Sequence, residues 1–244
     1  MTADDLFAAI LANPEDLDLR LRYADAIQAT DPDHAELIRA AISGSDINDR
    51  TLRRRLAGNR RLASRPVDGL VDSFVVRNGF VESVTMSGTG LLDHGDLVWQ
   101  RAPVRHLKLT DIGDLLPRIV ASPLLDRLTA LDLSGNPIGD AGVRVLADGR
   151  HLRRLRWLRL NSCEIGAAGA ETLAATRNLP ALRYVGLDDN RVPITPYGSG
   201  QDITGGPLWV ERPPLADDLD ARYGPLPWLS SEWARSRGVP WERV

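Results

Sequence analysis

The sequence predicts an α/β fold: a solenoid of short parallel strands alternating with helices, entered through an all-helical N-terminal domain and closed by an irregular C-terminal cap. Three observations carry this. Leu128-x-x-Leu131-x-Leu133-x-x-Asn136 recurs as Leu155-x-x-Leu158-x-Leu160-x-x-Cys163 and as Leu182-x-x-Val185-x-Leu187-x-x-Asn190, so Leu131, Leu158 and Val185 stand 27 residues apart. Up to Ile42 the apolar residues instead keep helical spacing between capping signals. Beyond Val192, Pro, Gly and Asp displace any period, and Trp209, Trp228, Trp233 and Trp241 appear. The expected divisions are 1–72, a helical domain and connector; 73–192, the solenoid with an N-terminal hairpin; and 193–244, the cap or tail.

In the first part, Thr2 and Asp5 stand in capping-box spacing ahead of Leu6, Phe7, Ile10 and Leu11. Asn13-Pro14 closes that helix and opens the next, with Asn13 as N-cap, and Leu17, Leu21, Ala24 and Ile27 then share one face. Asp31-Pro32 repeats the device ahead of Leu37, Ile38, Ala41 and Ile42. The run LFAAILANPEDLDLRLRYADAI, followed by HAELIRAAI, resembles the bacterial repeat-companion domain over about the first 45 residues. Ala9, Ile10, Pro14, Asp16, Tyr23, Ala24, Asp25, Ile38 and Arg39 carry the match, and Ala26-Ile27 stands where the family has Trp-Leu. The resemblance implies a companion to a repeat domain and no activity of its own.

The Leu-x-x-Leu-x-Leu-x-x-Asn/Cys pattern is the signature of a leucine-rich repeat. Such a unit cannot bury its apolar face alone, so neighbours stack into one core and leave a row of strand side chains on a concave face, with helices on the convex side. Ile138-Gly139-Asp140-Ala141-Gly142 and Ile165-Gly166-Ala167-Ala168-Gly169 lead into the helical halves and resemble the ribonuclease-inhibitor type of repeat. Val81-x-x-Val84-x-Met86 and Val104-x-x-Leu107-x-Leu109 read as degenerate earlier strands. Asn78-Gly79, between apolar runs, predicts a type I′ hairpin whose first arm covers the exposed edge of the first repeat strand.

Composition narrows the function. The chain has 244 residues, 30 basic against 33 acidic side chains, and a net charge of −3, which argues against whole-molecule attraction to nucleic acid or anionic lipid. Lys108 is the single lysine, an arginine bias expected of a GC-rich bacterial genome. One cysteine makes no internal disulfide, the acidic start is unlike a secretory leader, and no run approaches the ~20 apolar residues of a membrane span. A cytoplasmic location is expected.

The repeat register sets the candidate site. Motif positions 1, 4, 6 and 9 point inward, so positions 3, 5 and 7 form outward columns. These are Ser83, His106, Ala130, Trp157, Tyr184; then Thr85, Lys108, Asp132, Arg159, Gly186; then Ser87, Thr110, Ser134, Asn161, Asp188. Trp, Tyr and Arg are the side chains most often found as interface hot spots. The expected partner-binding residues are therefore His106, Lys108, Asp132, Trp157, Arg159, Tyr184 and Asp188, on a non-catalytic scaffold or adaptor for a protein partner. Coverage of Trp157 by the tail is the competing reading.

The alternative function is phosphate or nucleic-acid binding through Arg50, Arg53, Arg54, Arg55, Arg60, Arg61 and Arg65, a basic segment without interleaved aromatics. Cys163 occupies the Asn/Cys slot of the repeat, where a side chain turns inward, and is expected to be structural. His34, His94, His106 and His151 lack metal-ligand spacing, and no phosphate loop, dinucleotide loop or nucleophile elbow exists. No catalytic residue, metal or cofactor is expected.

Overall fold

The computed structural model describes residues 1–43, 65–192 and 214–229. Its strands hydrogen-bond in chain order: β1 (Ser73–Arg77), β2 (Phe80–Ser87), β3 (His106–Thr110), β4 (Ala130–Asp132), β5 (Trp157–Arg159) and β6 (Tyr184–Gly186). The chain forms two compact units, Met1–Lys108 and Leu109–Val244.

The first unit opens with α1 (Ala3–Ala12), α2 (Leu17–Ile27) and α3 (Pro32–Ser43). Thr2 and Asp5 form the expected capping box on α1. The second helix starts later than Asn13-Pro14 suggests. Asp16 is its N-cap, accepting from the N–H groups of Asp18 and Leu19 at 3.0 and 3.1 Å, whereas Asn13 closes α1. A carboxylate satisfying two orphan N–H groups at the positive helix end explains the choice.

The buried face of α2 is also displaced. Arg20, Ala24 and Ile27 point inward while Leu17 is exposed. Arg20 is fully buried, pairs with Glu82 at 2.6 Å, and donates to the carbonyls of Pro14, Arg77 and Asn78. Asp25 on α2 holds Arg39 on α3 at 2.7 Å.

The turn between β1 and β2 has φ of 48° at Asn78 and 83° at Gly79, the two positive values that a type I′ hairpin requires. A Cβ at Gly79 would lie 2.3 Å from Ile38 Cγ1, so glycine also admits α3. β1 and β2 pair antiparallel, with an irregularity between Val75 and Val76. Phe80 joins Ile10, Ala24, Ile27, Ala35 and Ile38 in one core, flanked by Phe7 and Tyr23, so helices and hairpin share their apolar interior. α4 (Gly88–Arg101), capped by Ser87, buries Leu91, Val98 and Trp99.

The second unit carries the regular repeats. β4, β5 and β6 pair in parallel, with Leu131, Leu158 and Val185 side by side. These three, with Leu128, Leu133, Leu155, Leu160, Leu182 and Leu187, are buried. The ninth motif position stitches each repeat to its predecessor. Asn136 Nδ2 donates to the carbonyls of Leu109 (3.0 Å) and Leu133 (2.8 Å), and its Oδ1 accepts from the Ile112 N–H at 3.2 Å. Asn190 serves the N–H groups of Cys163 and Ile165 and the carbonyls of Leu160 and Leu187 in the same way. Between them the Cys163 thiol donates to Leu133 O at 3.2 Å. The eighth position takes positive φ each time, at Asp111, Gly135, Ser162 and Asp189, so the turn geometry repeats even where the sequence varies.

Helices α5 (Leu116–Val120), α6 (Gly139–Ala147) and α7 (Ala167–Ala175) pack in sequence, α5 on α6 and α6 on α7. The glycine pattern is steric: a Cβ at Gly169 would lie 2.5 Å from Asp140 Oδ1 and 2.7 Å from Ile165 Cγ2, and one at Gly142 would lie 2.5 Å from Ile138 Cβ. Asp140 in turn accepts from the Gly166 N–H at 2.7 Å, holding the turn ahead of the next helix.

The tail is less irregular than its composition suggests. Pro214–Tyr223 forms α8, which packs on α7 with Ala216 and Leu219 buried, tethered by Arg222 to Glu171 and by the Tyr223 hydroxyl to Glu171 at 3.0 Å. Pro214 opens it, in keeping with the fixed φ of proline in a first helical turn. The 3₁₀ turn Pro227–Leu229 packs on β6 and leaves Trp228 half-buried. Trp209, Trp233 and Trp241 lie outside the described residues.

Candidate interaction face

The parallel register places Ala130, Trp157 and Tyr184 in one row and Asp132, Arg159 and Gly186 in another, on either side of the buried leucine row. Side chains alternate between faces along a strand, so both rows point away from the leucine core. Trp157, Arg159 and Tyr184 are half-buried, and Asp188 is exposed.

Asp132 departs from expectation. It belongs to the outward row yet is buried. Its Oδ1 accepts from the Ser134 N–H at 2.9 Å, and Arg159 Nη1 lies 4.0 Å from Oδ2. A short carboxylate beside a long guanidinium is covered by it, so Asp132 orients Arg159 and offers little surface itself. Ala130, next to Trp157, is fully buried for the same reason of size.

Gly186 supplies room. A Cβ there would lie 2.7 Å from Asn161 Oδ1, 3.2 Å from the Tyr184 hydroxyl and 3.3 Å from Arg159 Cγ. Phenol, amide and guanidinium thus converge over one glycine. Asn161 and Asp188 lock together, Asn161 Nδ2 donating to Asp188 Oδ2 and the Asp188 N–H donating to Asn161 Oδ1, both at 3.2 Å; the Asn161 N–H donates to Ser134 Oγ at 3.3 Å. The face is a preorganised polar ladder beside two aromatic rings. Asn161 and Gly186 stand in the sequence columns, but nothing in their residue types marks them as a contact.

His106 and Lys108 lie in the first unit, and only Lys108 is exposed there. His106, expected on an open surface, is 4% exposed. Burial, reinforced by the nearby charges of Arg77 and Arg105, pushes its pKa down to about 3, so it is a neutral interior ring rather than a contact residue. Sequence reasoning also missed the buried Arg20–Glu82 pair, although Arg20 shares helical spacing with Ala24 and Ile27.

Cys163 is fully buried, and desolvation pushes its thiol up to about 11, which leaves it protonated at neutral pH. Among the described residues no group of His, Cys, Asp and Glu could hold a metal ion, and no helix is long and apolar enough to cross a membrane. The arginine-rich segment falls outside the described residues, except for Arg65 at their edge.

No curated protein matches the chain. The family model for "Leucine Rich repeat" matches residues 128–147 and 151–174. The first stretch spans β4 and α6; the second spans β5 and most of α7. The strands bearing Asp132, Trp157 and Arg159 therefore belong to two leucine-rich repeats.

Proposed function

We propose that this chain is a non-catalytic adaptor, bacterial and cytoplasmic, that binds a protein partner through the outward face of β4–β6. The observation that carries the reading is the cross-strand pair Trp157 and Tyr184, half-buried beside Arg159 and flanked by the Asn161–Asp188 ladder. Aromatic rings held on rigid strands present apolar area at low entropic cost, and their polar neighbours confer direction. Leucine-rich repeats generally mediate protein–protein contacts, which supports the same conclusion. The companion domain and ribonuclease-inhibitor-like repeat type remain part of this reading, on the sequence resemblances.

The test is retention of a partner by the immobilised full chain and by Trp157→Ala/Tyr184→Ala, followed by titration of each retained protein in purified form. Loss of affinity in the double variant, with its melting temperature within a few degrees of wild type, supports the proposal. Equal affinity in both proteins sinks it.

A further inference from the structure

A second surface of the Leu109–Val244 unit carries a pattern that the aromatic face does not use. Three arginine pairs recur at the repeat interval of 27: Arg127 and Arg154, Arg150 and Arg177, Arg156 and Arg183. All lie in the segments that lead from a helix into the next strand. Equivalent positions of adjacent repeats are neighbours, since parallel strands stand about 4.8 Å apart. The backbone shows this directly for one pair, the Arg183 N–H donating to Arg156 O at 2.9 Å. Five of the six are exposed and Arg127 is half-buried.

Like charges stacked in neighbouring strands oppose folding, and intervening carboxylates normally relieve them. Among the described residues no carboxylate pairs with Arg127, Arg154, Arg156 or Arg177. Asp126, the acidic side chain next to Arg127, is held by His151 at 3.0 Å. Of the other two, Arg183 Nη1 donates to the Leu182 carbonyl and Arg150 Nε to His151 Nε2, both at 3.0 Å, so neither is neutralised by a described carboxylate. At the other end of the strands Asp111, Asp188 and Asp189 are exposed in the turns that follow, where Glu164 is paired with Arg191 at 3.0 Å.

We propose that the strand-entry edge of this unit binds an acidic peptide segment of a partner protein through these stacked arginine pairs. Charge complementarity selects the class of ligand, and the extent of the patch selects peptide over nucleic acid. The arginines lead into three consecutive strands, β4 to β6, about 10 Å apart from first to last, which suits a short run of carboxylates. A polyphosphate chain continues its charge beyond such a patch toward the acidic turns.

The test uses the full-length chain and fluorescein-labelled octaglutamate, followed by anisotropy at about 50 and 200 mM salt. Arg127→Ser/Arg154→Ser and Arg156→Ser/Arg183→Ser should each weaken binding at least about fivefold. The charge-matched control Arg22→Ser/Arg118→Ser, at exposed sites elsewhere, should change it less than twofold. Because all substituted side chains but Arg127 are exposed, melting temperatures should stay close to wild type, and the second double variant serves alone if the first unfolds. Absence of binding at low salt, or an equal loss in the control, overturns the proposal. Tighter, arginine-dependent binding of a length-matched oligodeoxynucleotide reassigns the edge to nucleic acid and overturns it too, as does a dimer of the chain that the arginine substitutions dissociate.

Discussion

At the residue scale, two buried titratable side chains set pH limits of opposite sign. His106 has its folded pKa lowered to about 3 from 6.5, so the stability it contributes is complete above pH 6.5 and is lost as pH falls toward 3. Unfolding free energy measured by denaturant at pH 7.5 and pH 5 should fall by at least about 1 kcal/mol, and His106→Gln should flatten that slope. An unchanged slope in the variant means that His106 is not the group that charges. Cys163 is the mirror case. Its folded pKa is raised to about 11 from 9.0, so its contribution is complete below pH 9 and is lost through pH 11. The same shift predicts about 100-fold less thiolate than in the unfolded chain, and thiol labelling of the native protein at pH 8 should be slower by at least that factor. Labelling at the unfolded rate sinks the structural role assigned to this thiol.

At the element scale, the ninth motif position and the helix-entry glycines do different work. Asn136 satisfies the Ile112 N–H and the carbonyls of Leu109 and Leu133, the last shared with the Cys163 thiol. Asn136→Ala removes the side-chain partner of the Ile112 N–H and the Leu109 carbonyl and should cost about 2–4 kcal/mol, read as a shift in denaturation midpoint with unchanged slope. Gly169→Ala tests sterics instead: the added methyl meets Asp140 and Ile165 at 2.5 and 2.7 Å and should cost about 1–3 kcal/mol. If Gly169→Ala is neutral or stabilising, Asp140 moves freely and the Gly-rich turn is not set by close approach. The Asn/Cys slot was legible from spacing alone, because only that position is polar yet inward. The start of α2 was not. Asn13 and Asp16 are both good caps, and only the packed structure shows which one meets free N–H groups.

At the scale of the whole molecule, the carboxy-terminal segment closes the row of repeats with a helix. α8 places Leu219 and Ala216 against α7, where a following repeat would otherwise provide cover. Leu219→Ala should therefore cost about 2–4 kcal/mol, and a chain ending at Val192 should melt at markedly lower temperature or precipitate. A truncated chain as stable as the full one means that α8 is an appendage. The tail's apolar content pointed to a cap, but the helix was missed, because a short amphipathic stretch following Pro-rich sequence carries too few turns to show a period.

The sequence by itself determined which side chains share a face. Inward leucines, the Asn/Cys slot and the Asn78-Gly79 turn are local patterns, each dictated by strand alternation or backbone sterics within a few residues. Only the tertiary structure decided how much of the outward face is open. Asp132 and His106 belong to columns drawn from spacing and are nonetheless buried, and Arg20 replaces an aliphatic contact in the interior. The physical reason is that exposure depends on neighbours remote in the chain. Arg159 lies against Asp132 from a repeat 27 residues on, and Glu82 and the hairpin carbonyls make a buried Arg20 tolerable from some 60 residues away.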